Sequence, residues 1–188
     1  MEFLEEIADL NPLPAGGAAA AYTANLGIAL LYKVLIMEIN RKGLDPAPQA
    51  TLRIAQKEIE RLHYALKKMT RDDPQCYLRF REALKSGDNE RSKNAFGEVL
   101  TCSLEVIEKA SDGLEWVRRL SKFSSLKLLP HLRISAELLA AGIAGTAHVA
   151  RDNVKLIESP GDQQDYLDRL ESVYELGMAK KKEILETL

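Results

Sequence analysis

The residues able to do chemistry fall in four short stretches of a 188-residue chain. The first is Pro12-Leu13-Pro14-Ala15-Gly16-Gly17-Ala18. Paired glycines let backbone N–H groups come close to a ligand, and a helix N-terminus directly after them favours a carboxylate or phosphate. The same glycines also suit a tight helix crossing, with Pro12 and Pro14 ending the helix before them. The second stretch is Asn40-Arg41-Lys42-Gly43. Its two cations either complement a helix dipole or meet a polyanionic ligand tail. The third is Asp73, with Met69 and Tyr77 one turn away on either side. Apolar neighbours raise a carboxyl pKa and suit it to proton transfer. Asp before Pro is also an ordinary helix start, and Asp72 competes for either role.

The fourth stretch runs from Pro130-His131 to Asn153-Val154. His148 and Asp152, four residues apart, share a helix face. No third ligand is evident, so a hydrogen-bonded or half-exposed His148 is the preferred reading and no metal is expected. Ala140, Ala141, Gly142, Ala144, Gly145 and Ala147 form a small-residue surface on which another helix can pack closely. His63, within a charged segment, reads as solvated.

These stretches must be positioned by helices. Phe3, Leu4, Ile7 and Leu10 form one stripe at helical spacing, ended by Asn11-Pro12-Leu13-Pro14. The segment from Ala15 to Met37 is apolar throughout and would make a helix about 35 Å long. A membrane span would put Lys33 near the bilayer centre at roughly 2.5–3.5 kcal/mol, so a central helix of a soluble bundle or dimer is preferred. Gly43 suits the position just past this helix's end. Asp45-Pro46 opens a helix with Leu52, Ile59, Leu62 and Leu66 on its inner face. Asp72-Asp73-Pro74 predicts an interruption, with Asp73 as N-cap and Pro74 as first helical residue of a segment reaching Gly87. Asp112-Gly113-Leu114-Glu115 reads as a capping box starting another helix. Ser159-Pro160-Gly161-Asp162 supplies cap, proline and acid for a last helix over 162–187.

Composition agrees. Hydrophobic residues make up 46% and charged residues 29%, while aromatics are 6%, with 11 Gly and 7 Pro. Too few aromatics and turns are present for a β-sandwich. A chain of this size buries roughly 70% of its unfolded surface, enough for one core. Residues 1–188 are therefore expected to form one all-α, up-and-down bundle around the Ala/Leu-rich helix, whose apolar face suits a dimer. Net charge is −2, against the basic excess of a nucleic-acid binder. Cys76 and Cys102 stand outside any CxxC pattern, and the acidic start lacks the basic segment of a signal peptide. Reduced thiols in a cytoplasmic protein are expected.

In order and spacing, these segments resemble the cyclodeaminase/cyclohydrolase family, the all-helical domain at the C-terminal end of formiminotransferase-cyclodeaminase, which also occurs as stand-alone bacterial proteins. The family's Pro-Thr-Pro-Gly-Gly-Gly-like turn, long Ala/Leu-rich helix and basic end look like Pro12 to Gly17, the helix to Met37, and Arg41-Lys42-Gly43. Its Asp, aromatic and small residue look like Asp73, Tyr77 and Ala83. Its Ser-Asp pair opening a small-residue helix that ends Asn-Val-x-x-Asn looks like Pro130-His131 to Asn153. Four positions depart from the pattern: Ala15 replaces a glycine, Pro130-His131 replaces Ser-Asp, Val149 stands at the first Asn, and Pro74 follows the Asp.

The resemblance implies an enzyme of tetrahydrofolate one-carbon units, without metal or redox cofactor. Such an enzyme closes 5-formimino-tetrahydrofolate to the 5,10-methenyl form with loss of ammonia, or hydrolyses the methenyl form to 10-formyl. It casts Asp73 and His131 as proton-transfer groups, and Gly16, Gly17, Arg41, Lys42 and Asn153 as holding a folate-type substrate. It also implies a homodimer. The departures leave two alternatives: a relative that binds a folate or other anion without turnover, and a helical scaffold dimerising through helix 15–37 and the Gly142/Gly145 surface.

Overall fold

Apolar residues at helical spacing, few breakers and side-chain caps at two starts specify helices throughout. The computed structural model describes residues 2–41, 46–157 and 159–188. Among them are six helices and no strand: α1 (Glu2–Ala8), α2 (Gly16–Ile39), α3 (Pro46–Ser86), α4 (Asn89–Ser121), α5 (Leu129–Val154) and α6 (Pro160–Thr187). Helix α2 packs against α5, α3 and α4, while α6 lies across α4 and α5. Fully buried Ile28, Leu31 and Leu35 of α2 meet a core that includes Ile59, Leu62 and Leu66 of α3 and Leu132 and Leu139 of α5. Helix α2 is long and apolar enough to cross a membrane by length and composition. Its inner face is nevertheless the centre of this core.

Two caps form as their residue types require. The Asp88 side chain accepts from Arg91 N–H at 3.0 Å to start α4, and Ser159 accepts from Asp162 N–H at 3.3 Å to start α6. Between α3 and α4, Gly87 adopts φ +69°, a left-handed conformation that favours glycine after a helix.

The small-residue surface of α5 meets α2 of the same chain. Ser135 and Leu139 lie at Gly27, Gly142 lies on Ala20 and Ala24, and Gly145 lies on Ala20. The contacts run in opposite order along the two helices, so α2 and α5 are antiparallel. The buried Ser135 hydroxyl donates to the Gly27 carbonyl at 2.8 Å. Gly142 and Gly145 are thereby used inside one chain and are not a free dimer surface, which corrects the Gly142/Gly145 half of the scaffold expectation.

Three helix boundaries also differ from expectation. Helix α3 runs unbroken through Pro74, so Asp73 is not the N-cap of a new helix. An interior proline costs about 3 kcal/mol. Burial of Leu52, Ala55, Ile59, Leu62 and Leu66 before it, and Phe80 and Ala83 after it, outweighs that cost. Residues 112–115 lie inside α4, because Leu104, Ile107, Ala110, Leu114 and Val117 are buried as one continuous face. In α1 the helix ends at Ala8, and Asp9 accepts from Leu10 N–H at 2.8 Å. Leu10 is consequently fully exposed, and only Phe3, stacked on Tyr22 at 4.6 Å, and Ile7 of the expected stripe are partly buried. His63 is partly buried, and burial lowers its pKa.

Candidate functional site

Helix α2 begins without a cap of its own. Ala15 is extended and offers no side-chain acceptor, and the helical ladder starts with Ala19 N–H donating to Ala15 O at 3.0 Å. The first N–H groups of α2 therefore need partners from elsewhere. Asp73, from the middle of α3, supplies one: its carboxylate accepts from Ala18 N–H. The absence of a side chain at Gly17 makes room for it. A Cβ there would stand 2.7 Å from Asp73 Oδ2, 2.8 Å from Cγ and closer still to Oδ1.

Two opposing influences act on this carboxyl. Burial raises its pKa and is the larger, while the Ala18 N–H lowers it. Asp72 is excluded from this role. It pairs with Lys68 at 2.5 Å, and its side chain is substantially exposed.

On the other side of the turn stands Val149. A Cβ at Gly16 would lie 3.2 Å from Val149 Cγ2. Asn153 follows one turn later on the same face of α5, partly buried. Gly16, Gly17, Asp73 and Val149 thus gather at the start of α2, with Asn153 one turn beyond. The glycine turn has a carboxyl on one side and an isopropyl group on the other.

His131 and Arg41 do not join them within one chain. His131 precedes Val149 on α5 by about 27 Å of helix rise. Arg41 follows the far end of α2, and the helix between Gly17 and Arg41 rises about 35 Å. Arg41 also has partners: its Nε pairs with Glu38 Oε2 at 3.0 Å, and its Nη2 donates to the Phe123 carbonyl at 3.0 Å. Glu38 is 1% exposed and accepts from Ser125 N–H at 2.7 Å. Together they fasten the α4–α5 connection to the end of α2, a role with no local sequence signal. Lys42 and Gly43 lie outside the described residues.

His148 is exposed, and Asp152 pairs with Lys155 at 2.5 Å. Among the described residues, no group of three His, Cys, Asp or Glu side chains is arranged to hold a metal ion.

Two expectations follow from this geometry. Glu38→Gln should lower stability by about 2 kcal/mol, because it removes the charge that serves both Arg41 and the Ser125 N–H; urea unfolding measures it. Asp73 should make stability pH-dependent in the unusual direction. Its pKa is raised on folding, so the native state holds this proton to higher pH than the unfolded chain. The difference in Tm between wild type and Asp73→Asn should therefore move against wild type as pH climbs from the ordinary carboxylate value through the raised one, then level off. A difference moving the other way would mean that the Ala18 N–H outweighs burial.

Comparison with known proteins agrees with the architecture. The chain has no sequence match among curated proteins. Its fold is similar to that of formiminotetrahydrofolate cyclodeaminase from Thermotoga maritima, with a TM-score of 0.91 and 20% identity over 100% of this chain and 93% of that one. The family model of formiminotransferase-cyclodeaminase matches residues 1–172. A match over so much of the chain, on a bundle that brings the glycine turn to Asp73, shows that this chain belongs to the formiminotransferase-cyclodeaminase family.

Proposed function

We propose that the protein acts on a tetrahydrofolate one-carbon unit, as a 5-formimino-tetrahydrofolate cyclodeaminase or a 5,10-methenyl-tetrahydrofolate cyclohydrolase, without metal or redox cofactor. The observation that carries this reading is Asp73: a carboxyl whose pKa is raised by burial, held at a helix N-terminus over a glycine turn. Ring closure needs a proton removed from the attacking nitrogen and one delivered to the departing ammonia. A carboxyl with a raised pKa can do both in turn. Gly16, Gly17 and Asn153 border the space where the substrate would lie.

Arg41, Lys42 and His131 enter this reading through a second copy of the chain. The outward face of α2 carries Ala19, Tyr22, Leu26, Leu30 and Met37 with a single charge, Lys33, and Leu26 and Met37 are about half exposed. Two such faces packed antiparallel about a two-fold axis bring the partner's α2 C-terminus, and the start of its α5, beside the Gly17 end of this copy. The substrate's carboxylates would then meet Arg41 and Lys42, with His131 near the reacting carbon. A cytoplasmic homodimer that binds neither membrane nor nucleic acid is part of this proposal.

The test is conversion of 5-formimino- or 5,10-methenyl-tetrahydrofolate, followed by methenyl absorbance. No rate above the buffer blank with folded protein overturns the enzymatic reading. Val149 against Gly16 favours one alternative, a binder without turnover, because valine offers no hydrogen bond to a reacting ligand. Calorimetry with 5-formyl-tetrahydrofolate separates the two: heat without turnover selects the binder. A concentration-independent monomer mass by light scattering rules out the two-fold arrangement.

A further inference from the structure

The chain's 2 cysteines are 26 positions apart, yet the α3–α4 hairpin turns them toward one seam. Arg79 sets the register by donating to Glu98 Oε2 at 3.0 Å, and the Phe80 and Phe96 rings beside it pair at 4.8 Å. One turn back from Arg79 is Cys76, and one turn on from Glu98 is Cys102. Both thiols line the same open groove of about 650 Å³, whose walls Ala65, Gly97 and Thr101 keep low. Arg79 also reaches Cys76 Sγ at 3.2 Å. Each cysteine is partly buried, and charge on Cys76 is felt at Cys102.

We propose that Cys76 and Cys102 are a reversible redox pair that staples α3 to α4 one turn from Asp73. The pairing stands on the hairpin geometry alone; that it regulates a catalytic carboxyl rests on the proposed function. The oxidant is a low-molecular-weight disulfide such as glutathione disulfide. The Cys76 thiolate attacks one of its sulfurs, the S–S bond breaks, and one glutathione thiolate leaves with the electron pair. Cys102 gives up its proton and attacks the Cys76 sulfur of the mixed disulfide, releasing the second glutathione. Two protein thiols lose two electrons, one disulfide becomes two thiols, and the protons released balance those the leaving thiolates take up. Burial pushes the Cys102 thiol up to about 12 and raises that of Cys76 as well, so the exchange quickens as pH rises.

The experiment incubates reduced protein with glutathione disulfide at mildly alkaline pH, with helicity monitored, and reads intact mass, free thiols and linked peptides. The expected wild-type product has lost two hydrogens, retains no glutathione, shows no titratable thiol and links the Cys76 and Cys102 peptides within one chain. Cys102→Ser should stop at one glutathione on Cys76, because the resolving thiol is gone. The proposal is overturned if wild type keeps both thiols, keeps glutathione unresolved, links two chains, or forms the bond only when unfolded in urea. Because these readouts involve no folate, they stand or fall separately from the proposed enzymatic activity.

Discussion

Asp73→Asn is expected to lower kcat/KM on the one-carbon folate substrate by about 10²- to 10⁴-fold, the usual worth of a positioned acid or base. The substitution is conservative where the fold is concerned. An amide oxygen can still accept from Ala18 N–H, and the side chain still fits the space left by Gly17. What disappears is the exchangeable carboxyl proton. The fall should therefore lie mainly in kcat, with helicity and urea midpoint close to wild type. Unchanged kcat in a folded variant would reduce Asp73 to a cap on α2 and move the chemistry elsewhere. Asp72→Asn is the matched control: it removes an exposed ion pair with Lys68, and turnover should barely change.

Gly142→Val should be the most damaging single substitution for the fold. A Cβ at 142 would stand 2.6 Å from Ala24 Cβ and 2.9 Å from the Ala20 carbonyl oxygen. Backbone cannot rotate away as a long side chain can, so α5 must lift from α2 along the seam that centres the core. Overpacking by a single methyl costs about 1–3 kcal/mol, and the two further methyls of valine carry the loss to about 3 kcal/mol or more. For a chain of this size that is a fall in Tm of roughly 10 °C. Gly97→Ala shows the reverse, because Gly97 is exposed on α4 and nothing lies within 4 Å of its added Cβ. There the better helix propensity of alanine should raise stability by about 1 kcal/mol. If the two variants behaved alike, close α2–α5 packing would not be what the glycine at 142 provides.

The helices could be read because their evidence is local. Spacing of Leu52, Ile59, Leu62 and Leu66 is set within one element, and the Ser159 cap needs only its next three residues. Breaks were harder to read, since Asp73-Pro74 and Asp112 to Glu115 carry start signals that a long buried face overrides. Half of the site was legible in the same way. Gly16, Gly17 and Asp73 announced themselves by residue type, but the contact of Gly17 with Asp73 joins residues 56 positions apart through the α2–α3 packing. Arg41 misled for a related reason. Its partners include the Phe123 carbonyl, 82 positions away, and a backbone oxygen leaves no mark in the sequence. Val149 could be singled out only by resemblance, because a valine on a helix otherwise reads as packing.

Pro74 has a mechanical consequence for the carboxyl beside it. Having no N–H, it leaves the Thr70 carbonyl without the amide that the helical ladder would bring to it four residues on. The Thr70 hydroxyl donates to the Leu66 carbonyl and so does not replace that bond. Helix α3 is thus a long rod with one missing rung, placed at the turn that carries Asp73. Bending there needs no unfolding of the buried stretches on either side. The weakest point of the rod's hydrogen-bond ladder therefore lies beside the acid that faces the α2 N-terminus.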